Sequence, residues 1–227
     1  MMLASLLMCG DAFAQTPERL PRRAITSETL TATCFDNGPT LVRSPILISP
    51  DRKYSAYSEN EAVVRGEKRC INTARLFLKG PGDKVFRLVY LQAPTRYQLF
   101  NNIKLLDWSP DSHRLLSELF VGQWGSDSGG STLLLYDATD GVFASEDAIG
   151  TALSIYFGHD CAFSVRMMGF ASDGGVVLKI QPSFDDEATV EPSSCVQKEG
   201  LWLLQDGIKP LPAAYRVRRY GYFSATR

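Results

Sequence analysis

The chain has 227 residues, of which 44% are hydrophobic and 22% are charged. This composition is close to that of an average globular protein, which excludes a wholly disordered chain, and the length suits one substantial domain or two small ones. The formal net charge of −1 gives no general attraction to nucleic acid or to an anionic membrane surface.

The first 14 residues read as a signal peptide. An apolar run at residues 3–8 is followed by Gly10 and Asp11 and then by Ala12-Phe13-Ala14, an A-x-A cleavage pattern. A buried N-terminal helix is the alternative, but Gly10 and Asp11 would interrupt it early. We therefore predict a periplasmic or secreted protein, and no later apolar run approaches the roughly 18 residues of a membrane span.

A short motif recurs three times, at residues 48–51, 108–111 and 170–173. It consists of a bulky apolar residue, a small residue, Pro or Ser, and then Asp, and it ends at Asp51, Asp111 and Asp173. Each copy stands between two apolar stretches. Ser-Pro-Asp favours a tight turn because Pro presets φ and Asp bonds back to the local backbone. Each copy thus predicts a β-hairpin.

A second hairpin follows in every copy, with turns at residues 80–83, 137–141 and 205–207. Two hairpins make a four-stranded antiparallel meander, and the three copies span residues 34–91, 103–143 and 161–212. Together they form a predicted domain over residues 34–212. An N-terminal extension, residues 15–33, precedes this domain, and a C-terminal edge strand, residues 213–227, follows it.

The second copy resembles a known repeat. Residues 108–116, WSPDSHRLL, and 133–141, LLLYDATDG, are similar to the W-S-P-D-G-K-x-L and L-Y-x-x-D-x-x-T-G signals of the WD40-like repeat in bacterial TolB-type β-propellers. The resemblance implies an all-β fold of three propeller-blade-like meanders. Because propellers normally need about four to eight blades to close, it also implies an open or incompletely closed propeller.

Three blades would leave sheet edges without partners. The sheets could pack as an open array, two chains could form a six-bladed ring as a homodimer, or the terminal segments could cover the edges. We favour edge covering, because residues 215–220 alternate as a strand does, with Tyr215, Val217 and Arg219 on one face. The homodimer is the second choice.

Four cysteines remain after the predicted cleavage, namely Cys34, Cys70, Cys161 and Cys195. An even number in an oxidising compartment implies two disulfides with three possible connectivities. Cys70 and Cys195 each lie six residues before the matching strand of their copies, and Cys34 and Cys161 each precede the turn aspartate of the same copies. Pairing within each copy, Cys34 with Cys70 and Cys161 with Cys195, is therefore the economical connectivity.

No catalytic, metal or cofactor site is predicted. Asp127-Ser128-Gly129-Gly130 is similar to the surroundings of a serine-protease nucleophile, but the only histidine upstream of it, His113, lacks the surroundings of the catalytic histidine in that family. His159, the other histidine, lies in a connection between copies and is expected to have a structural or surface role. The acidic residues 185–187 lack the spacing of a calcium loop. Trp124 is the aromatic residue expected to be exposed, and the arginines at 216, 218 and 219 suggest a charged edge strand.

Two functional hypotheses remain. The first is a non-enzymatic interaction module of the cell envelope with a protein partner, and it rests on the repeats, the missing catalytic groups and a mature chain with 24 basic and 24 acidic residues (25 minus Asp11). The alternative is a hydrolase or lyase that uses carboxylates such as Asp127 or Asp160 where loops converge.

Overall fold

The computed structural model describes residues 32, 40–65, 69–95, 100–123, 129–144, 146–157, 163–182 and 198–224. These residues form three antiparallel sheets and one helix, so the prediction of an all-β fold is confirmed. No sheet closes on itself among the described residues.

Sheet 1 contains six strands. Its strands are β1 (Thr40–Arg43), β2 (Leu47–Ile48), β3 (Ser55–Arg65), β4 (Arg69–Lys79), β5 (Arg87–Gln92) and β14 (Tyr222–Phe223). The order is β14-β2-β3-β4-β5, and β1 also pairs with β3. The last strand of the chain therefore lies beside one of the first.

Sheets 2 and 3 are four-stranded meanders in chain order. Sheet 2 contains β6 (Phe100–Trp108), β7 (Arg114–Gly122), β8 (Gly129–Asp137) and β9 (Val142–Phe143). Sheet 3 contains β10 (Phe163–Phe170), β11 (Val176–Pro182), β12 (Gly200–Leu204) and β13 (Ile208–Pro210). Both predicted hairpins are present in every copy.

The helix α1 (Glu146–Phe157) joins sheets 2 and 3 and was not predicted from the sequence. Leu153 and Phe157, four residues apart, pack on the core between these sheets. Tyr156 and Phe157 also contact the Trp202 ring edge-on, with centroids 5.2 and 4.9 Å away. The helix forms because this connection has an apolar surface to cover.

The three sheets stack with sheet 2 in the middle. Core 1, which includes Leu76 and Trp108, joins sheets 1 and 2, whereas core 2, which includes Phe170 and Leu178, joins sheets 2 and 3. Sheet 2 is buried on both faces. The outer faces of sheets 1 and 3 are therefore the two ends of the stack.

The three repeat turns share one hydrogen-bond pattern. The turn aspartates Asp51, Asp111 and Asp173 each accept a hydrogen bond from the backbone N–H two residues later, at 3.0, 3.1 and 3.1 Å. The residue after each aspartate has positive φ, namely Arg52 (63°), Ser112 (71°) and Gly174 (86°). In the third copy the turn is one residue shorter, because Ala171 bonds to Gly175 across it.

Hydrogen bonds also join the turns of neighbouring sheets. The Asp51 N–H donates to Ser112 Oγ at 3.0 Å, and Arg114 Nη2 donates to the Gly174 carbonyl at 2.8 Å. The turns therefore lie side by side at one end of the stack.

Replacement by alanine should have different effects on stability at two buried serines, Ser109 in the turn between β6 and β7 and Ser117 in β7. Ser109 Oγ donates to Asp111 and accepts from the Arg114 N–H at 2.8 Å, so Ser109→Ala should cost about 1–2 kcal/mol of unfolding free energy. Ser117 Oγ is buried without a hydrogen-bond partner among the described residues, so Ser117→Ala should be neutral or stabilising by up to about 1 kcal/mol. Urea unfolding measures both, and a loss at Ser117 as large as that at Ser109 would contradict this reading.

Candidate interaction surface

The C-terminal residues 211–224, called the strap here, cross all three sheets. Leu211, Tyr215 and Val217 pack on Ala171, Val177 and Leu203 at the outer face of sheet 3. The strap then passes sheet 2 and ends in sheet 1, where β14 pairs with β2 and the Ser224 N–H donates to the Ile46 carbonyl at 2.8 Å. One end of the stack is thereby covered by the chain itself.

The predicted edge strand at the C-terminus is shorter than expected. Residues 211–221 form no strand, and only Tyr222–Phe223 pair with sheet 1. Tyr215 and Val217 do face sheet 3 as the alternation predicted. Arg219, however, is exposed, as are Arg216 and Arg218, so it does not pack on sheet 3 with Tyr215 and Val217.

Asp107 in β6 fastens the strap to sheet 2. Its carboxylate is 2% exposed and accepts hydrogen bonds from three backbone N–H groups, those of Trp108, Tyr220 and Gly221, at 2.8 to 3.2 Å. The strap passes so close that a Cβ on Gly169 would lie 2.8 Å from the side chain of Val217. Gly169 has φ +139°, which also favours glycine. These contacts give Asp107 a structural role.

Burial raises the pKa of Asp107 above its usual value, against the opposing effect of its backbone donors and Arg219. Its folded-state pKa therefore exceeds its unfolded-state pKa, so the native state binds the proton more tightly. The contribution of this group to stability is highest below about pH 4 and declines as the pH rises through the raised pKa. Urea unfolding at several pH values measures this effect on the wild type and on Asp107→Asn. The difference between their unfolding free energies, wild type minus variant, should decline as the pH rises from about 4 through the raised pKa. A difference that rises with pH would contradict this sign.

The outer face of sheet 1, called the open face here, is the other end of the stack. Strand register places four residues in one row across it, Arg43, Glu59, Arg75 and Leu91, and puts Leu41 and Leu88 at its two edges. The exposed fractions of Leu41, Leu88 and Leu91 are 57%, 49% and 51%. Among the described residues, nothing equivalent to the strap covers this face.

Aromatic rings fill the middle of the open face. Tyr57 stacks on Phe77 with centroids 4.8 Å apart, and Phe86 meets the Tyr57 ring edge-on at 4.9 Å. The guanidinium of Arg43 lies 5.0 Å above the Tyr57 ring. Burial, and secondarily the charge of Glu59, raises the pKa of the Tyr57 hydroxyl, so this ring stays neutral at physiological pH.

Two ion pairs complete the open face. Arg43 donates to Glu59 Oε1 from Nε at 2.9 Å and also from Nη2, and this bond raises the pKa of Arg43. Arg75 Nη1 lies 2.9 Å from Glu61 Oε2. The centre of the face is therefore aromatic and apolar, with two ion pairs beside it, and Lys79 lies on the same face at the end of β4.

The predicted cysteine pairing stays a prediction. Cys70 is half-buried in β4, whereas three cysteines lie outside the described residues, Cys34, Cys161 and Cys195. One contact supports the first pair. Asn72, two residues after Cys70, donates from Nδ2 to the carbonyl of buried Ala32 at 2.8 Å, and Ala32 is two residues before Cys34.

Peptide mapping without reductant tests the connectivity. We expect one disulfide-linked peptide that contains Cys34 and Cys70, and a second that contains Cys161 and Cys195. Each would contribute roughly 3–4 kcal/mol through the entropy of the unfolded chain. A peptide that joins Cys34 to Cys161 or Cys195 would contradict the pairing.

The other sequence candidates add no site. Trp108 and Trp202 are buried as predicted, and His113 is exposed in its turn. Several residues lie outside the described ranges: Trp124, Asp127, Ser128, His159, Asp160 and residues 185–187. Within those ranges no three His, Cys, Asp or Glu side chains are grouped as metal ligands. No described helix is long and apolar enough to cross a membrane.

Comparisons with protein-family models, with curated proteins and with solved structures found no match for this chain.

Proposed function

We propose that this chain is an exported, non-enzymatic interaction module of the cell envelope that binds a protein partner through the open face. The observation that carries the proposal is the asymmetry of the stack. The strap covers the apolar outer face of sheet 3, whereas Leu41, Leu88 and Leu91 leave apolar area exposed on sheet 1. Contiguous exposed apolar area on a soluble protein marks an interaction site more often than chance.

The chemistry of the open face favours a folded protein as the partner. Its aromatic centre, formed by Tyr57 and Phe77, is flanked by charges that form two ion pairs within the chain. Paired charges give little attraction to a polyanion, while aromatic and Arg side chains are enriched at protein interfaces. A partner with a complementary apolar surface and low net charge fits this face best.

The repeat supports the same proposal. Three meanders with matching Asp turns are what a WD40-like, TolB-type propeller repeat would give, and such repeats serve as binding scaffolds. Export follows from the predicted signal peptide and suits a disulfide-bonded domain. The buried carboxylate of Asp107 does not favour the hydrolase alternative, because backbone N–H groups occupy its oxygens.

Photo-crosslinking in living cells tests the proposal. A photoreactive phenylalanine analogue replaces Leu88 on the open face or, as the matched control, Val142, which is 55% exposed on sheet 2. We expect protein crosslinks from position 88 and few from position 142. Equal yields from the two positions, or none from position 88, would contradict the proposed binding face.

A further inference from the structure

We infer that the partner of the open face is a second copy of this chain, in a two-fold dimer that packs sheet 1 on sheet 1. The inference rests on the proposed function, because it names the occupant of the same face. It differs from a six-bladed ring, in which sheet 1 of one chain would pack on sheet 3 of the other. The strap already occupies the outer face of sheet 3 through Tyr215 and Val217.

The apolar residues of the open face suit a two-fold arrangement. Leu41 lies in β1 at one edge of the face, and Leu88 and Leu91 lie in β5 at the opposite edge. A two-fold axis parallel to the strands places β1 of one copy over β5 of the other. By register, Leu91 of one copy then lies about two residues along the strand direction from Leu41 of the other, and this approach occurs on each side of the axis.

The charges of the open face allow two identical surfaces to approach. A face with charges of one sign would repel its own copy. Here Arg43 and Arg75 are balanced by Glu59 and Glu61, and both pairs form within one chain. Association of two copies leaves both ion pairs intact, and Lys79, the other described charge in this register, lies at the end of β4, where the two-fold axis places Ser55 of the second copy opposite it.

The size of the open face predicts a weak dimer. Four strands about 4.8 Å apart, over about eight residues at 3.3 Å each, cover roughly 500 Å² per copy. Two copies bury roughly 1,000 Å², which is the lower limit for a specific interface. We therefore expect a dissociation constant in the micromolar range, and sheet-on-sheet packing of the kind already present at cores 1 and 2.

Sedimentation velocity of the mature, disulfide-intact protein between about 1 and about 100 μM tests the inference. The wild type should shift from monomer to dimer, and Leu88→Lys should raise the dissociation constant at least about tenfold, because it buries an unpaired charge. Val142→Lys is the matched control and should leave the shift unchanged. Leu41→Lys repeats the test from the opposite edge, and thermal melts confirm that each variant folds.

Crosslinks from position 88 separate the two proposals. In the dimer, they should join the β1 peptide of a second copy, which contains Thr40–Arg43. A wild type that stays monomeric, or a dimer that Leu88→Lys leaves intact, would overturn the inference. In that case, crosslinks from position 88 to another protein would leave the proposed function standing. No crosslinks of either kind would overturn both.

Discussion

Replacing Trp108 by alanine should lower the free energy of unfolding by about 3–5 kcal/mol. Trp108 is fully buried in core 1, and its ring stacks on Tyr54 with centroids 5.8 Å apart. Its Nε1 donates to the Leu47 carbonyl at 3.2 Å, which links sheet 2 to sheet 1. Removal of the ring leaves a cavity between the sheets and an acceptor without this donor.

Urea unfolding of protein purified without reductant measures this loss. Trp108→Phe is the graded comparison, because it keeps most of the ring volume and should cost less than the alanine variant. Tyr222→Ala is the surface control, since Tyr222 is 39% exposed and its loss should change stability little. A loss below about 1 kcal/mol for Trp108→Ala would contradict the packing described for core 1.

Replacing Asp107 by alanine should release the middle of the strap and cost about 2–4 kcal/mol. The N–H groups of Tyr220 and Gly221 would lose their acceptor inside the protein. Opening of the strap would restore their hydration at the expense of the β14–β2 pairing. The substitution should therefore lower the free energy of global unfolding and also lower the free energy of local opening of the strap.

Hydrogen exchange followed by mass spectrometry resolves the local part. In Asp107→Ala, peptides that cover residues 211–224 should exchange at least about tenfold faster, while those of β7 should change less. Asp107→Asn is the matched control, because its Oδ1 can still accept the Gly221 N–H at the present position. If backbone hydrogen exchange of the strap is as slow in Asp107→Ala as in the wild type, Asp107 does not fix the strap to sheet 2.

The repeat turns were predictable because their signals are local. Asp51, Asp111 and Asp173 bond to N–H groups only two residues away, so a short motif contains most of the interaction. Alternating apolar residues between these turns likewise predicted the paired strands. The sequence also indicated that Tyr215 and Val217 share a face.

The strap attachment and the open face were not predictable in the same way. Asp107 lies in an apolar strand and bonds to residues 113 and 114 positions later, and no local pattern encodes such a contact. Alternation shows that Tyr57 and Phe77 point away from core 1, but not which faces the rest of the chain covers. Helix α1 was missed because it forms on the surface that sheets 2 and 3 create together.

Hydroxyl-radical footprinting tests most directly whether the open face is an occupied binding surface. The side chains of Tyr57, Leu88 and Leu91 should react more slowly in the intact cell envelope than in dilute purified protein. The helix residue Ile155, which is 81% exposed, should react alike in both samples. Equal reactivity of the open-face residues in the envelope and in dilute solution would contradict the account.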